Sequence, residues 1–233
     1  MKNNFIIIGL IALLIIAGIV GYAIYNNTNN KKDNKENKTV TTGKEEREDT
    51  NTEPEKETNN KEDTKMYNTG KHHAEITIKN YGTIALELDA DVAPITVENF
   101  AKLTNEGFYN GLTFHRIITG FMIQGGDPLG NGTGGSKKEI KGEFAKNGIQ
   151  NNISHVRGTI SMARAQDYNS ASSQFFIVQK DSKFLDGAYA AFGKVTSGME
   201  IVDKICQDTK VEDNNGTVLK ENQPIIEKIT MID

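Results

Sequence analysis

The chain has one cysteine, Cys206, in 233 residues. No intramolecular disulfide can form, which fits a reducing compartment and equally an exported bacterial protein that does without bridges. Basic residues do not dominate: 27 Lys and Arg face 31 Asp and Glu, a formal charge of −4, which argues against nucleic acid as a partner. The usual nucleophile motifs are missing too. No G-x-S-x-G occurs, so an activated serine has no frame. The loop "GNGTGGSKK" (130–138) resembles a phosphate loop only superficially, because its serine precedes its lysine and no strand–helix frame surrounds it. Its glycines are better suited to letting a loop run close to a groove. The four histidines show no metal-ligand spacing. His72 and His73 are adjacent and cannot share a face, and His155 has no partner in sequence.

One long apolar run is present. Residues 5–25, "FIIIGLIALLIIAGIVGYAIY", carry no charge and could span a hydrocarbon core of ~30 Å as a helix. The run reads as a transmembrane signal anchor, or as a signal peptide cleaved after Ala23, where Gly21 and Ala23 stand at −3 and −1. Lys2 and the α-amino group favour a cytoplasmic N-terminus and place the rest outside the cytoplasm. The expected location is therefore the cell membrane, single-pass, or secretion after cleavage. Residues 26–70 follow, rich in Asn, Thr, Lys, Glu and Asp, with Val40 the only aliphatic side chain between Thr28 and Lys65. Such a segment cannot offset its chain entropy by burial, so it reads as a disordered polar linker, either a hydrated tether or an interaction tail.

Residues 71–233 carry the pattern of a folded domain. "AEITIKN" and "GTIALELD" are β-branched runs split by "NYG", a hairpin. "PITVENFAKLTNEG" reads as a helix opened by Pro94 and stopped by Gly107, with Val97, Phe100, Ala101 and Leu103 inward and Glu98 and Thr104 toward water. Short strand candidates recur at 112–118, 121–124, 158–163, 174–179, 190–195 and 225–231, and "GMEIVDKIC" (198–206) is a second helix. Many short strands with two helices indicate a mainly β fold, an antiparallel barrel or sandwich with helices covering its ends.

The stretch "TFHRIITGFMIQGGDP" (113–128) is the most distinctive. His115 and Arg116 alternate on a strand, so they face opposite sides. If Arg116 faces a groove, His115 is a hydrogen-bonded core histidine. Phe121, Met122 and Gln124 follow. Ala163, Gln174, Phe175, Phe176, Phe184, Leu185 and Tyr189 come later. Together they make either an apolar dish with one cation and one amide, or ordinary barrel core.

"YNGLTFHRIITGFMIQGGD" resembles the signature of the cyclophilin-type peptidyl-prolyl isomerases, and "GNGTGG", "GTISMARA", "SSQFFIV", "FLDGAYAAFGKV" and "GMEIVDKI" follow in that family's order. The resemblance covers about residues 74–231. It implies a closed eight-stranded antiparallel barrel capped by two helices. It also implies catalysis of X-Pro rotation in proline-containing polypeptides, with no metal or organic cofactor. Carried over by position, Arg116 is the catalytic arginine and Phe121, Met122, Phe176 and Leu185 form the proline pocket. Gln124 is the amide beside the arginine. Ala163 and Arg164 mark the edge that binds peptide backbone, and Gln174 lines the adjoining groove. Phe184, Tyr189 and Arg164 replace the Trp, His and Asn of better-known eukaryotic members, which implies weak cyclosporin binding. The expected function is isomerase assistance to the folding of exported proteins. The alternative is a proline-peptide binding module or holdase that uses the same groove without dependence on turnover.

Overall fold

The computed structural model describes residues 66–233. The expected anchor or signal peptide at 1–25, and the expected linker as far as residue 65, lie outside the described residues. Among the described residues no helix is long and apolar enough to cross a membrane. Packing begins just before Lys71: Tyr67 is buried in the main core, and its backbone N–H donates to Glu98.

Strands β1 (Lys71–Ile78) and β2 (Gly82–Asp89) form the expected hairpin, with Lys71 opposite Asp89 and Ile78 opposite Gly82. Asn80 takes a φ of 66° in its turn, a conformation that asparagine tolerates better than most side chains. The period-2 pattern buries Ala74, Ile76 and Ile78 on one strand and Ile84, Leu86 and Leu88 on the other.

Helix α1 (Pro94–Asn105) follows. Its N-cap, Ala93, has no side-chain acceptor, so the orphan N–H groups find one elsewhere. The buried carboxylate of Glu143 accepts from the N–H of Ile95 (3.0 Å) and Thr96 (2.8 Å) and from the Thr96 hydroxyl (2.6 Å). A negative group at the positive helix end is also favoured by the helix dipole. Thr104, expected to face water, is instead buried. The helix packs against both β8 and β2, so its buried stripe is wider than a single-faced contact requires.

The remaining elements are β3 (Thr113–Ile118), β4 (Met122–Asp127), β5 (Thr159–Met162), β6 (Phe175–Val178), β7 (Ala191–Ser197), helix α2 (Met199–Asp208) and β8 (Ile226–Met231). The strands form one antiparallel sheet in the order β3-β4-β6-β5-β7-β2-β1-β8. Its concave side is filled by aromatic rings meeting edge to face, including Phe100 on Phe175 (5.8 Å, 86°) and Tyr109 on Phe175 (5.6 Å, 82°).

The expectation of a closed barrel is corrected. The sheet curls into a half-barrel, and its end strands β3 and β8 are not laddered to each other. Their seam is a few backbone bonds made mostly by the chain just before β8: Phe114 N–H to Pro224 O (2.9 Å), Ile226 N–H to Leu112 O (2.8 Å) and an isolated bridge between Thr113 and Ile225. Farther along, the free edge of β3 is covered by the loop at 215–218, through Ile117 N–H to Gly216 O (2.8 Å) and Val218 N–H to His115 O (3.1 Å). An irregular loop thus pairs the edge where a strand would have closed the barrel.

Candidate active site

Strands β3, β4, β6 and β5 carry two apolar faces. Inward lie Phe114, Ile123, Phe175, Ile177 and Ile160 in the main core. Outward lies a second, separate cluster of Met122, Phe176, Val178 and Leu185, with Phe121, Ala163 and Tyr189 packed against it. The residues left open between a dish and a barrel core are therefore divided between the two by strand alternation. The outer cluster floors a depression of about 400 Å³ that is open to solvent.

Register places the polar groups. Arg116 on β3 lies opposite Gln124 on β4, and Gln124 lies opposite Phe176 on β6. Arg116 and Gln124 line the wall of the depression. Phe121, Met122, Phe176 and Leu185 lie below, with Ala163, Arg164 and Tyr189 toward the other end. Two expected residues stand back. Phe184 is 54% exposed and meets the Phe121 ring at a tilt (5.5 Å, 36°), so it forms a rim. Gln174 lies behind Gln124 and does not line the depression.

The Arg116 fork is pinned at two nitrogens. Nε donates to the carbonyl of Asn215 (2.8 Å) and Nη1 to Oε1 of Gln124 (3.3 Å), while Nη2 is buried and has no partner among the described residues. Burial pulls its pKa below the ordinary arginine value, opposed by Tyr189 and Asp213. A guanidinium nevertheless keeps its charge in proteins.

Gln174 settles which end of Gln124 faces the arginine. Its Nε2 donates to the carbonyls of Gly134 (2.7 Å) and Gly132 (3.2 Å), which can only accept. Its Oε1 is therefore left to accept from Nε2 of Gln124 (2.9 Å), and Oε1 of Gln124 turns to Arg116. The glycine-rich loop thus acts on the arginine through two amides. That loop also encloses an anion, but an internal one. The Asp127 carboxylate accepts N–H groups from Leu129 (2.8 Å), Asn131 (3.1 Å) and Gly132 (2.6 Å). Burial would raise the Asp127 pKa, but these N–H groups bring it below the usual value. At Gly134 a Cβ would fall 2.1 Å from the Asp127 carboxylate, so no larger residue fits.

His115 faces the interior as expected and is 4% exposed. The expected hydrogen bonds are not found: neither ring nitrogen has a partner among the described residues. Burial pushes its pKa down to about 4; Asp127 opposes that and Arg116 adds to it. Such a histidine is neutral at physiological pH.

Sequence reasoning missed His155. It is buried, with Nδ1 2.9 Å from the Asp186 carboxylate and Nε2 3.0 Å from the Ser161 hydroxyl. The carboxylate demands a proton on Nδ1, so Nε2 accepts from the serine. The connectivity is that of a Ser-His-Asp triad, yet Ser161 is fully buried on β5 and no substrate reaches it. The His155 ring instead stacks beneath Phe176 (6.0 Å, 18°) and supports the pocket floor. No sequence spacing links residues 155, 161 and 186; the fold brings the chain before β5 against the turn after β6, through Ser182 N–H to His155 O (2.7 Å) and His155 N–H to the Asp186 carboxylate (2.7 Å).

At the other end, Arg164 is held as firmly as Arg116. Nε and Nη2 donate to Ala188 O (3.1 and 2.9 Å) and Nη1 to Ala165 O (2.9 Å). Its guanidinium lies over the rings of Tyr189 (4.7 Å), Tyr168 (4.9 Å) and Phe144 (5.2 Å).

Residues 73–231 match the family model "Cyclophilin type peptidyl-prolyl cis-trans isomerase/CLD". A peptidyl-prolyl cis-trans isomerase of Helicobacter pylori is 50% identical over 139 residues, 58% of this chain and 82% of that protein. Peptidyl-prolyl cis-trans isomerase B of Bacillus subtilis is 47% identical over 138 residues, 59% of this chain and 87% of that one. Among solved structures, a cyclophilin type peptidyl-prolyl cis-trans isomerase of Cryptosporidium parvum, determined in the presence of the dipeptide Ala-Pro, is similar with a TM-score of 0.61. It is 31% identical and covers 69% of this chain and 99% of that one. With the family model spanning nearly all of the described fold, the chain belongs to the cyclophilin-type peptidyl-prolyl cis-trans isomerases.

Proposed function

We propose that Arg116 is the catalytic group of this isomerase and that its substrates are proline-containing segments of proteins folding outside the cytoplasm. Rotation about X-Pro breaks no bond. It must overcome a barrier of roughly 18–20 kcal/mol, the loss of amide resonance. Uncatalysed, the step takes on the order of tens to hundreds of seconds. What accelerates it is a donor aimed at the prolyl nitrogen, whose lone pair is delocalised in the planar amide and becomes available as the bond twists. The resulting interaction is stronger in the transition state than in the ground state, as catalysis requires.

The observation that carries this reading is the Arg116 fork beside an apolar dish, pinned by Asn215 and Gln124 with one nitrogen left over. The two anchors hold the guanidinium at the wall of the dish, so that presenting the buried Nη2 to the lone pair asks only a local shift of the fork. Phe121, Met122, Phe176 and Leu185 bind the proline ring in our reading, while Ala163, Arg164 and Tyr189 meet the chain that flanks it. Gln124 and Gln174 orient the arginine. That the Cryptosporidium parvum relative was determined in the presence of Ala-Pro supports proline-peptide binding.

The extracytoplasmic setting rests on the uncharged run at 5–25. In this proposal it anchors the chain, and the polar segment from residue 26 to just before Tyr67, which packs in the core, holds the isomerase clear of the bilayer.

Two experiments test these points. Exchange spectroscopy on an X-Pro peptide should show accelerated cis/trans exchange at catalytic protein concentrations. Binding without acceleration would favour the holdase reading. Protease treatment of intact cells, followed by membrane fractionation, should show the domain accessible and membrane-bound; a protected domain would refute the location.

A further inference from the structure

We propose that Arg164 makes this enzyme selective for X-Pro sites with an acidic side chain within two residues of the proline. The proposal rests on the isomerase reading and names the substrate class of the same groove. The residues lining the depression include two cations, Arg116 and Arg164, and no acid. Arg116 lies on the β3–β4 wall. Arg164 follows β5, three strand spacings away across β4 and β6, or ~14 Å. A proline over Phe176 sits between them. An extended chain advances ~3.3–3.6 Å per residue, so a side chain one or two residues from the proline reaches the Arg164 end.

Among the described residues nothing neutralises Arg164. Its donors go to backbone carbonyls and it forms no ion pair with a described carboxylate. Three aromatic rings and those carbonyls hold the guanidinium in place, so little side-chain entropy remains to be lost when a substrate carboxylate approaches. The neighbouring segment carries the same sign. Lys146 donates its N–H to Gly187 O (2.9 Å), next to the Ala188 whose carbonyl holds Arg164. Between 137 and 146 the exposed charges are Lys137, Lys138, Lys141 and Lys146 against Glu139, because Glu143 is buried under α1. Asp186 is engaged by Ser154 and His155. Asp167 is the remaining exposed acid in the chain around Arg164, and it accepts from the N–H of Asn169. A chain of net charge −4 thus presents a locally cationic end to its own groove.

The test is a set of peptides with Glu, Gln or Lys at each of the two positions before and after the proline, assayed for kcat/KM with the full chain. In at least one position the Glu peptide should exceed the Gln peptide by about three- to fivefold, the upper range for an exposed ion pair. The Lys peptide should fall below Gln. The preference should shrink toward one in 1 M salt, where screening acts over ~3 Å. Arg164→Gln should bring the Glu/Gln ratio to about one, and Arg164→Lys should retain part of it. A Glu/Gln ratio of one at every position in the unmodified enzyme overturns the proposal, as does an unchanged ratio in Arg164→Gln. The ratio and its salt dependence in the unmodified enzyme stand even if the variant fails to fold. Failure of the isomerase reading looks different: no peptide, including the Gln series, would be accelerated.

Discussion

Replacing Arg116 by lysine separates charge from geometry. The arginine uses Nε on Asn215 O and Nη1 on Gln124 Oε1, and keeps Nη2 without a partner. A lysine keeps the positive charge but offers one nitrogen at the end of a flexible stem. If that ammonium satisfies the Asn215 carbonyl or the Gln124 amide, it is held at the wall by the contact. It then lacks the second rigid anchor that would aim a donor at the prolyl nitrogen. Removing a transition-state donor costs about 2.7–4 kcal/mol in comparable sites, or about 100-fold or more in rate. Arg116→Ala should show that full loss. Arg116→Lys should lie within about tenfold of the alanine variant rather than near the unmodified enzyme, because a misplaced donor contributes little to positioning. The assay is kcat/KM from exchange spectroscopy on one X-Pro peptide, with circular dichroism to confirm that both variants fold. Retention by lysine of more than about a third of the activity would show that charge alone suffices and that the pinned fork is not the catalytic device. Near-normal rates in the alanine variant would remove Arg116 from the mechanism altogether.

Three further outcomes are expected. His115 has a folded-state pKa of about 4 against 6.5 when free, so between those values the unfolded chain binds a proton that the folded one refuses. Its contribution is present above pH 6.5 and lost as pH falls toward 4, by about 3 kcal/mol in all. Urea unfolding at pH 7 and pH 4 should show His115→Gln with a smaller pH difference in stability than the parent, and an equal difference would contradict this. Phe184 offers neither the N–H nor the full contact area of an indole at the rim, so cyclosporin should inhibit weakly and Phe184→Trp should gain sensitivity with little change in turnover. Equal, tight inhibition of both forms would show that this position does not set the affinity. Residues 66–233 alone should fold and match the full chain in kcat/KM, whereas loss of either would show that the N-terminal segment packs on the domain.

Local patterns determined much of this protein from the sequence alone. Period-2 runs located the hairpin of β1 and β2, Pro94 and Gly107 bounded α1, and the short apolar runs located the other strands to within a few residues. These features depend on neighbours in the chain, so they are written in it. The site residues were legible because strand alternation at Arg116, Met122 and Gln124 coincides with a motif that resembles a known family. Tertiary structure decided what depends on distant partners. It placed the outer cluster of Met122, Phe176 and Leu185 apart from the main core, which no single strand's pattern distinguishes when both faces are apolar. It left the sheet a half-barrel, because the segment at 215–225 meets β3 as a loop and not as a strand. It also buried Thr104 under two packing partners. The amide relay from the glycine-rich loop through Gln174 and Gln124 to Arg116, and the His155 support beneath Phe176, join residues far apart in sequence. Their hydrogen-bond directions follow from which atoms the fold brings within hydrogen-bonding distance, and that is information a linear pattern does not carry.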